Sequence, residues 1–273
     1  MNLLKINSTI VSEVIEISKL AGKAIMDIYS TDFDYKIKSD NSPLTKADLE
    51  SNQLIVRELK KLNPLIPVLS EEESDVSLEK RMSWEQYWLI DPLDGTKEFL
   101  KRNGEFTVNI ALINNNKPIF GVIHIPVSNK TYWGSNQGSY YQKEESSIIE
   151  IKTKERGPNN KIKIVSSRSH HNSQLDKFLK NLENYELINM GSSVKFCLVA
   201  SGIADLYLRF GPTSEWDNAA GHAILKYAGG RVRSINGDQI SYNLKKDFLI
   251  KNFIASRNST LEERILKELA FLN

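Results

Sequence analysis

Apolar residues near the start of the chain recur at helical spacing, with Ile10, Val14, Ile17, Ala21, Ala24 and Ile28 on one stripe. The spacing predicts an amphipathic helix that buries this stripe. Pro43 marks a boundary, and Thr45-Lys46-Ala47-Asp48 opens a second helix. Its face continues through Ile55, Leu59 and Leu62 until Asn63-Pro64 ends it. The period then shortens. Residues 67–69 read as a brief extended piece, and residues 87–90 as a buried strand. That strand is expected to stop at Asp91-Pro92, because proline cannot donate to a ladder. Residues 107–113 alternate polar and apolar, Asn114-Asn115-Asn116 turns, and residues 119–125 return, which predicts a β-hairpin. A further strand is expected at 131–134.

Residues 152–161 are a polar connection, taken as the boundary between an N-terminal α+β lobe, 1–155, and a C-terminal α/β lobe, 156–273. Beyond it strand and helix alternate. Strands are predicted at 162–166, 187–190, 204–209 and 253–255, and helices at 175–182, 193–201, 215–228 and 261–271. Gly229-Gly230 suits the stop of the third helix. An antiparallel α+β half followed by an α/β half predicts layered helices and sheets with a site between lobes.

Composition narrows this little. At 273 residues, 40% hydrophobic and 26% charged, the chain can bury a proper core. Its formal charge of +2 gives no concentrated basic face, so no nucleic-acid polymer is expected as a partner. The single cysteine, Cys197, forms no internal disulfide or thiolate cluster and reads as a small buried hydrophobe. No apolar run reaches the roughly 18 residues of a membrane span, and no signal-peptide pattern opens the chain. The expectation is a cytoplasmic protein, with peripheral contact at the inner membrane left open and no protein partner implied.

Three acidic clusters fall where a strand ends or a helix begins: Glu71-Glu72-Glu73, Asp91-Pro92-Leu93-Asp94-Gly95-Thr96, and Trp216-Asp217. Each has a plain alternative. Glutamate runs are usually solvated, the preferred reading for Glu72 and Glu73. Asp48 and Asp217 lie three residues after Thr45 and Ser214, so both suit capping boxes. A turn alone does not explain two aspartates framing Pro-Leu directly after an apolar strand. Carboxylates held together repel one another unless a cation neutralises them. Oxygen ligands without histidine or cysteine select Mg²⁺, Mn²⁺ or Ca²⁺. Gly95 lets backbone approach an anion, and Thr96 opens a helix whose N–H groups suit phosphate. Haloacid-dehalogenase-type phosphatases carry D-x-D-G-T. The D-x-x-D-G-T here has its acids one residue further apart, which rejects that family.

W-L-I-D-P-L-D-G-T at 88–96 and E-W-D-N-A-A-G at 215–221 resemble, in order, the two signatures of the lithium-sensitive, magnesium-dependent phosphatases that include inositol monophosphatase and fructose-1,6-bisphosphatase. K-E-F after D-G-T, S-R-S-H and G-S-S-V-K-F-C-L-V-A are similar to the bacterial bisphosphate nucleotidase branch. The resemblance implies a layered αβαβα sandwich. It implies that Glu71, Asp91 and the Leu93 carbonyl bind one Mg²⁺, and Asp91, Asp94 and Asp217 a second, with a third and weaker ion near Glu71. Thr96, supported by Asp48, would orient or deprotonate the attacking water, while the Gly95 and Thr96 amides hold phosphate. His170, Ser192, Lys195 and Arg209 would contact a nucleotide and its 5′-phosphate. The expected substrate is a small nucleotide bisphosphate, adenosine 3′,5′-bisphosphate, hydrolysed to AMP and phosphate. An inositol- or sugar-phosphate phosphatase is the near alternative. A catalytically silent nucleotide- or metal-binding module is the alternative of another class.

Overall fold

The computed structural model describes residues 3–37, 43–157, 160–169 and 172–270. Helix α1 (Ser8–Tyr29) starts where the Asn7 side chain accepts the Ile10 N–H at 2.9 Å. It buries Val14, Ile17, Ala21 and Ile28 as the stripe predicts, adding Val11, Ile15 and Ile25, while Ile10 and Ala24 sit half-buried at its rim. Strands β1 (Tyr35–Ile37) and β2 (Pro43–Thr45) form a short ribbon ahead of α2 (Lys46–Leu62), which Thr45 and Asp48 close with a capping box.

Strands β3 (Val68–Ser70), β4 (Gln86–Asp94), β5 (Thr107–Asn114), β6 (Lys117–Ile125), β7 (Lys130–Ser135), β8 (Gly138–Lys143) and β9 (Ile149–Ile151) form one sheet in sequence order. Only the β3–β4 pair is parallel. Helices α3 (Leu78–Met82) and α4 (Thr96–Leu100) flank β4 along the chain. The predicted hairpin is β5–β6. Asn115 and Asn116 both hold left-handed φ, 47° and 60°, which matches the twist of a two-residue hairpin turn.

Strand β4 does not stop at Asp91-Pro92. It runs to Asp94, with the register against β5 shifting between Asp91↔Asn109 and Asp94↔Thr107. Three residues on β4 thus span two on β5, a bulge that takes up Pro92 without requiring its missing N–H.

Beyond residue 160 come β10 (Ile162–Ser167), α5 (Ser173–Asn181), β11 (Tyr185–Met190), α6 (Val194–Ala200), β12 (Leu206–Arg209), β13 (Thr213–Ser214) and α7 (Glu215–Tyr227). Strands β14 (Arg231–Ser234), β15 (Leu249–Ile250) and β16 (Phe253–Ser256) and helix α8 (Ser259–Ala270) complete the order. A five-stranded mixed sheet runs β11-β10-β12-β16-β14, and β13 pairs separately with β15. The four predicted strands and four predicted helices are present with ends shifted by one or two residues. Periodicity did not reveal β8, β9, β14 or the short ribbons. Arg-Val-Arg-Ser in β14, for example, carries one apolar residue and no readable alternation.

The layers are α–β–α–β–α, a sandwich in which the central strands send alternate residues to opposite cores. Val108, Ile110 and Leu112 of β5 join Trp88, Ile90 and Val122 beneath α1 and α2. On the other face, Ala111, Ile113, Leu89 and Ile123 meet α6, α7 and Val165, Tyr207 and Ala255 of the five-stranded sheet. That sheet's outer face, with Ile164, Leu206 and Ile254, packs on Phe178 of α5 and Leu261 and Ile265 of α8. Cys197 lies fully buried in the central layer, and burial pushes its thiol up. Among the described residues no helix is long and apolar enough to cross a membrane.

Candidate active site

The first two acidic clusters meet the third where parallel strands β3 and β4 end beside the start of α7. The Glu71 N–H donates to the Ile90 carbonyl at 3.2 Å, which seats Glu71 next to the bulge carrying Asp91. Within the bulge the Leu93 N–H donates to Asp91 Oδ1 at 3.1 Å, and Ser51 Oγ donates to the Pro92 carbonyl at 2.7 Å. Asp217, in the first turn of α7, closes a capping box with Ser214 and accepts Thr213 Oγ1 at 2.5 Å. One carboxylate oxygen each from Glu71, Asp91 and Asp217 lies within 4.8 Å of the others.

Such proximity is unfavourable for bare charges. Burial, then the carboxylates of Glu71, Asp94, Asp217 and Asp48, push the Asp91 carboxyl well above the usual carboxylate range. Burial with Asp94 and Glu71 pushes Asp217 up to about 7. A divalent cation would relieve both. No histidine or cysteine lines the cleft among the described residues, so the donor set is entirely hard oxygen and fits such an ion. Asp94 shares the cleft but is not one of the three. Its Oδ2 accepts Ser192 Oγ and the Ser193 N–H, both at 2.6 Å, which hold it toward α6.

Gly95 takes φ +93°, a left-handed conformation that turns the chain from β4 into α4, and a Cβ there would come within 3.1 Å of the Glu105 carbonyl oxygen, a tight contact. Thr96 follows. Its Oγ1 donates to Asp48 Oδ1 at 3.2 Å, while Asp48 Oδ2 accepts the Thr45 N–H at 2.8 Å and Thr45 Oγ1 at 2.5 Å. Asp48 is therefore both helix cap and support for Thr96, buried behind the cleft wall rather than lining it.

A cleft of about 250 Å³ takes in Glu71, Asp91, Leu93, Asp94, Gly95, Thr96, Ser192, Lys195, Arg209 and Asp217. Lys195 is buried, donates to the Ser192 carbonyl at 2.5 Å, and sits 5.2 Å from the centre of the Tyr207 ring. Burial, opposed by Asp94 and aided by Arg209, lowers its ammonium to about 8. Arg209 Nη2 donates to the Pro212 carbonyl at 3.0 Å, and its buried Nε has no partner. Neither cation forms a salt bridge among the described residues. His170 and its neighbour His171 lie outside the described residues.

Glu73 is not merely solvated, since it accepts Asn52 Nδ2 at 2.7 Å and so helps anchor the turn after β3. Sequence reasoning missed Thr107, Asn109 and Ser193. Thr107 Oγ1 lies 2.7 and 2.8 Å from the Ser192 and Ser193 hydroxyls, and Ser193 Oγ donates to Asn109 Oδ1 at 2.7 Å. A signal was present, because Thr107 and Asn109 are the polar residues on one face of an otherwise apolar strand. Thr213, Asn218, Lys97 and Glu98 also border the cleft.

A family model described as the inositol monophosphatase family matches residues 7–273. The 3′(2′),5′-bisphosphate nucleotidase CysQ of Escherichia coli O6:H1 is 45% identical over 246 residues, covering 89% of this chain and 98% of that protein. The protein of the same name from Haemophilus influenzae is 31% identical over 263 residues, 96% of this chain and 98% of its own. Among solved structures, CysQ from Bacteroides thetaiotaomicron matches with a TM-score of 0.79 at 38% identity, covering 92% of this chain and 98% of that one. An inositol monophosphatase from Thermotoga maritima matches with a TM-score of 0.80 at 23% identity and 96% coverage of each, a likeness of fold alone.

Proposed function

Since this chain belongs to the inositol monophosphatase family, we propose that it is a magnesium-dependent 3′(2′),5′-bisphosphate nucleotidase that hydrolyses adenosine 3′,5′-bisphosphate to AMP and phosphate. One observation carries the reading. A single cleft combines a carboxylate cluster with Lys195 and Arg209, two cations without a salt-bridge partner among the described residues. A monoester needs only the first group. A second phosphate calls for the second, because lysine and arginine supply the charge-assisted hydrogen bonds a phosphate accepts.

Glu71, Asp91, Asp94, Asp217 and the Leu93 carbonyl would hold two Mg²⁺, with a third near Glu71. Bound, the ions supply Lewis-acid charge that offsets the phosphate oxygens and acidifies the attacking water. The protein's own groups then set the geometry. Thr96 Oγ1, by donating its proton to Asp48, keeps its lone pairs free to take a proton from that water, and Asp48 receives the threonine proton in turn. The Gly95 and Thr96 amides orient the phosphate as water attacks phosphorus directly and in line. Residues 1–155 supply most of the carboxylates on this reading, and residues 156–273 supply Asp217, Ser192, Lys195, Arg209 and His170.

The test is phosphate release from adenosine 3′,5′-bisphosphate with Mg²⁺, against an EDTA control and inositol 1-phosphate. Metal-dependent release from the nucleotide in clear preference is expected. Release from the inositol ester alone would keep the phosphatase and overturn the substrate, and binding without turnover would overturn catalysis.

A further inference from the structure

Glu71 and Asp217 reach one point from segments far apart in the chain, and something must hold those segments in register. The start of α7 is strapped on two sides to residues 243–250. Both Glu215 carboxylate oxygens accept the Asn243 N–H, at 2.9 and 2.8 Å, and the Glu215 N–H donates to the Phe248 carbonyl at 2.7 Å. Thr213 and Ser214 pair with Ile250 and Leu249, and the Trp216 ring lies 5.0 Å from that of Phe248. Asp217 is thus placed by a strap that has no helix of its own.

The strap is in turn gripped by one residue. Arg81 is 1% exposed, and its guanidinium forms no salt bridge among the described residues. Nη1 donates to Asn243 Oδ1 at 2.6 Å, and Nη2 donates to the Lys245 and Lys246 carbonyls, each at 2.7 Å. The guanidinium carbon sits 4.2 Å from the centre of the Phe248 ring, and Asn243 Nδ2 donates back to the Arg81 carbonyl at 2.6 Å. Arg81 belongs to α3, the helix that follows the turn carrying Glu71. That turn is pinned at its other end by the Asn52–Glu73 and Ser70–Asn52 hydrogen bonds.

We propose that Arg81 is a positioning residue for the carboxylate cluster: through Asn243 and Glu215 it locks the Glu71 turn and the Asp217 helix start into one block. The proposal rests on the metal-site reading given above. Lysine cannot replace the fork, since three separate acceptors and an aromatic face need a planar group with several fixed donors. The residue touches no ligand of the site, so its effect is on how well the oxygens are pre-arranged for an ion.

The experiment is Mn²⁺ binding to the metal-free full-length protein, read as loss of the free-ion paramagnetic resonance signal, for wild type, Arg81→Lys, Asn243→Ala and Ile265→Val. Arg81→Lys and Asn243→Ala should each weaken binding roughly ten-fold, the size of effect seen for residues that orient metal ligands. Ile265→Val, a small cavity in the outer α8 layer, should lower the melting midpoint and leave Mn²⁺ binding unchanged. Should Arg81→Lys not fold, Asn243→Ala, which keeps the guanidinium, carries the test. Wild-type binding with both clamp variants unchanged would overturn the clamp alone. A wild-type protein that takes up no Mn²⁺ would overturn the metal-site reading and the clamp with it.

Discussion

On the proposed reading, Asp91 trades stability for function. Burial, and then the carboxylates of Glu71, Asp94, Asp217 and Asp48, hold its proton on well above the ordinary carboxylate range. Removing that charge should therefore have opposite effects on the two properties. Asp91→Asn is expected to lower kcat by on the order of 10²–10³ or more, as loss of an electrostatic stabiliser does. It should also raise the melting midpoint in EDTA at pH 8, and a lowered midpoint would count against charge repulsion in the cluster. Thr96 is a cleaner probe of proton movement. Thr96→Val keeps the shape and removes the hydroxyl bonded to Asp48, so a loss of about 10²–10⁴ in kcat is expected with little change in melting. Lys195→Met and Arg209→Met should raise KM for the bisphosphate far more than for a nucleoside 3′-monophosphate. Equal effects on the two substrates would refute a role at the second phosphate.

At the scale of elements, the cluster depends on how closely α7 lies on the large sheet. Gly121 of β6 faces Ala220 of α7 so tightly that a Cβ would meet the Ala220 carbonyl oxygen at 2.4 Å and its Cα at 2.7 Å. Both neighbours are backbone and cannot swing aside. Gly121→Ala should push α7 off the sheet at a cost of about 1–3 kcal/mol, and because Asp217 starts that helix, metal binding should weaken as well. Denaturant unfolding with and without Mg²⁺ measures both. A loss of stability with unchanged Mg²⁺ stabilisation would mean that the helix start is held independently of its contact with β6.

For the whole molecule, the cluster on the proposed reading would tie folding to pH and to metal. Asp217 has a folded value near 7 against an ordinary 3.8, so the folded state holds its proton more tightly. The resulting stabilisation is fully present below about pH 4 and is lost as pH rises through about 7. Through Asp217, metal-free protein should therefore lose stability between about pH 4 and 7 and level off above that. Mg²⁺, which replaces those protons, should raise the midpoint most at the top of that range. His124 acts in the opposite direction. Burial lowers it to about 4, so its contribution is complete above its ordinary 6.5 and fades as pH falls toward 4. The two contributions have opposite slopes over nearly the same range, about pH 4 to 6.5, and so largely cancel in the wild-type protein. Calorimetry in EDTA should therefore show Asp217→Asn gaining stability relative to wild type as pH rises from about 4 to 7, and a constant difference would contradict the Asp217 assignment.

Much of this protein can be read without its structure, because local rules govern local features. The α1 stripe, the capping of α2 by Thr45 and Asp48, the Asn-Asn hairpin and the strand–helix alternation after residue 160 follow from side-chain period and cap chemistry within a few residues. Three carboxylate clusters at element ends were likewise visible as candidates for one cleft. What sequence could not supply is any relation set by a long closure. Strand β4 passes through Pro92 because the bulge against β5 removes the need for its N–H, and only the partner strand determines that. Glu73, in the turn after β3, gains a role from Asn52 on α2, and Arg81 from Asn243, 162 residues away. Single polar residues such as Arg81 show no periodicity, so their partners appear only when tertiary packing buries them and leaves their hydrogen bonds nowhere else to go.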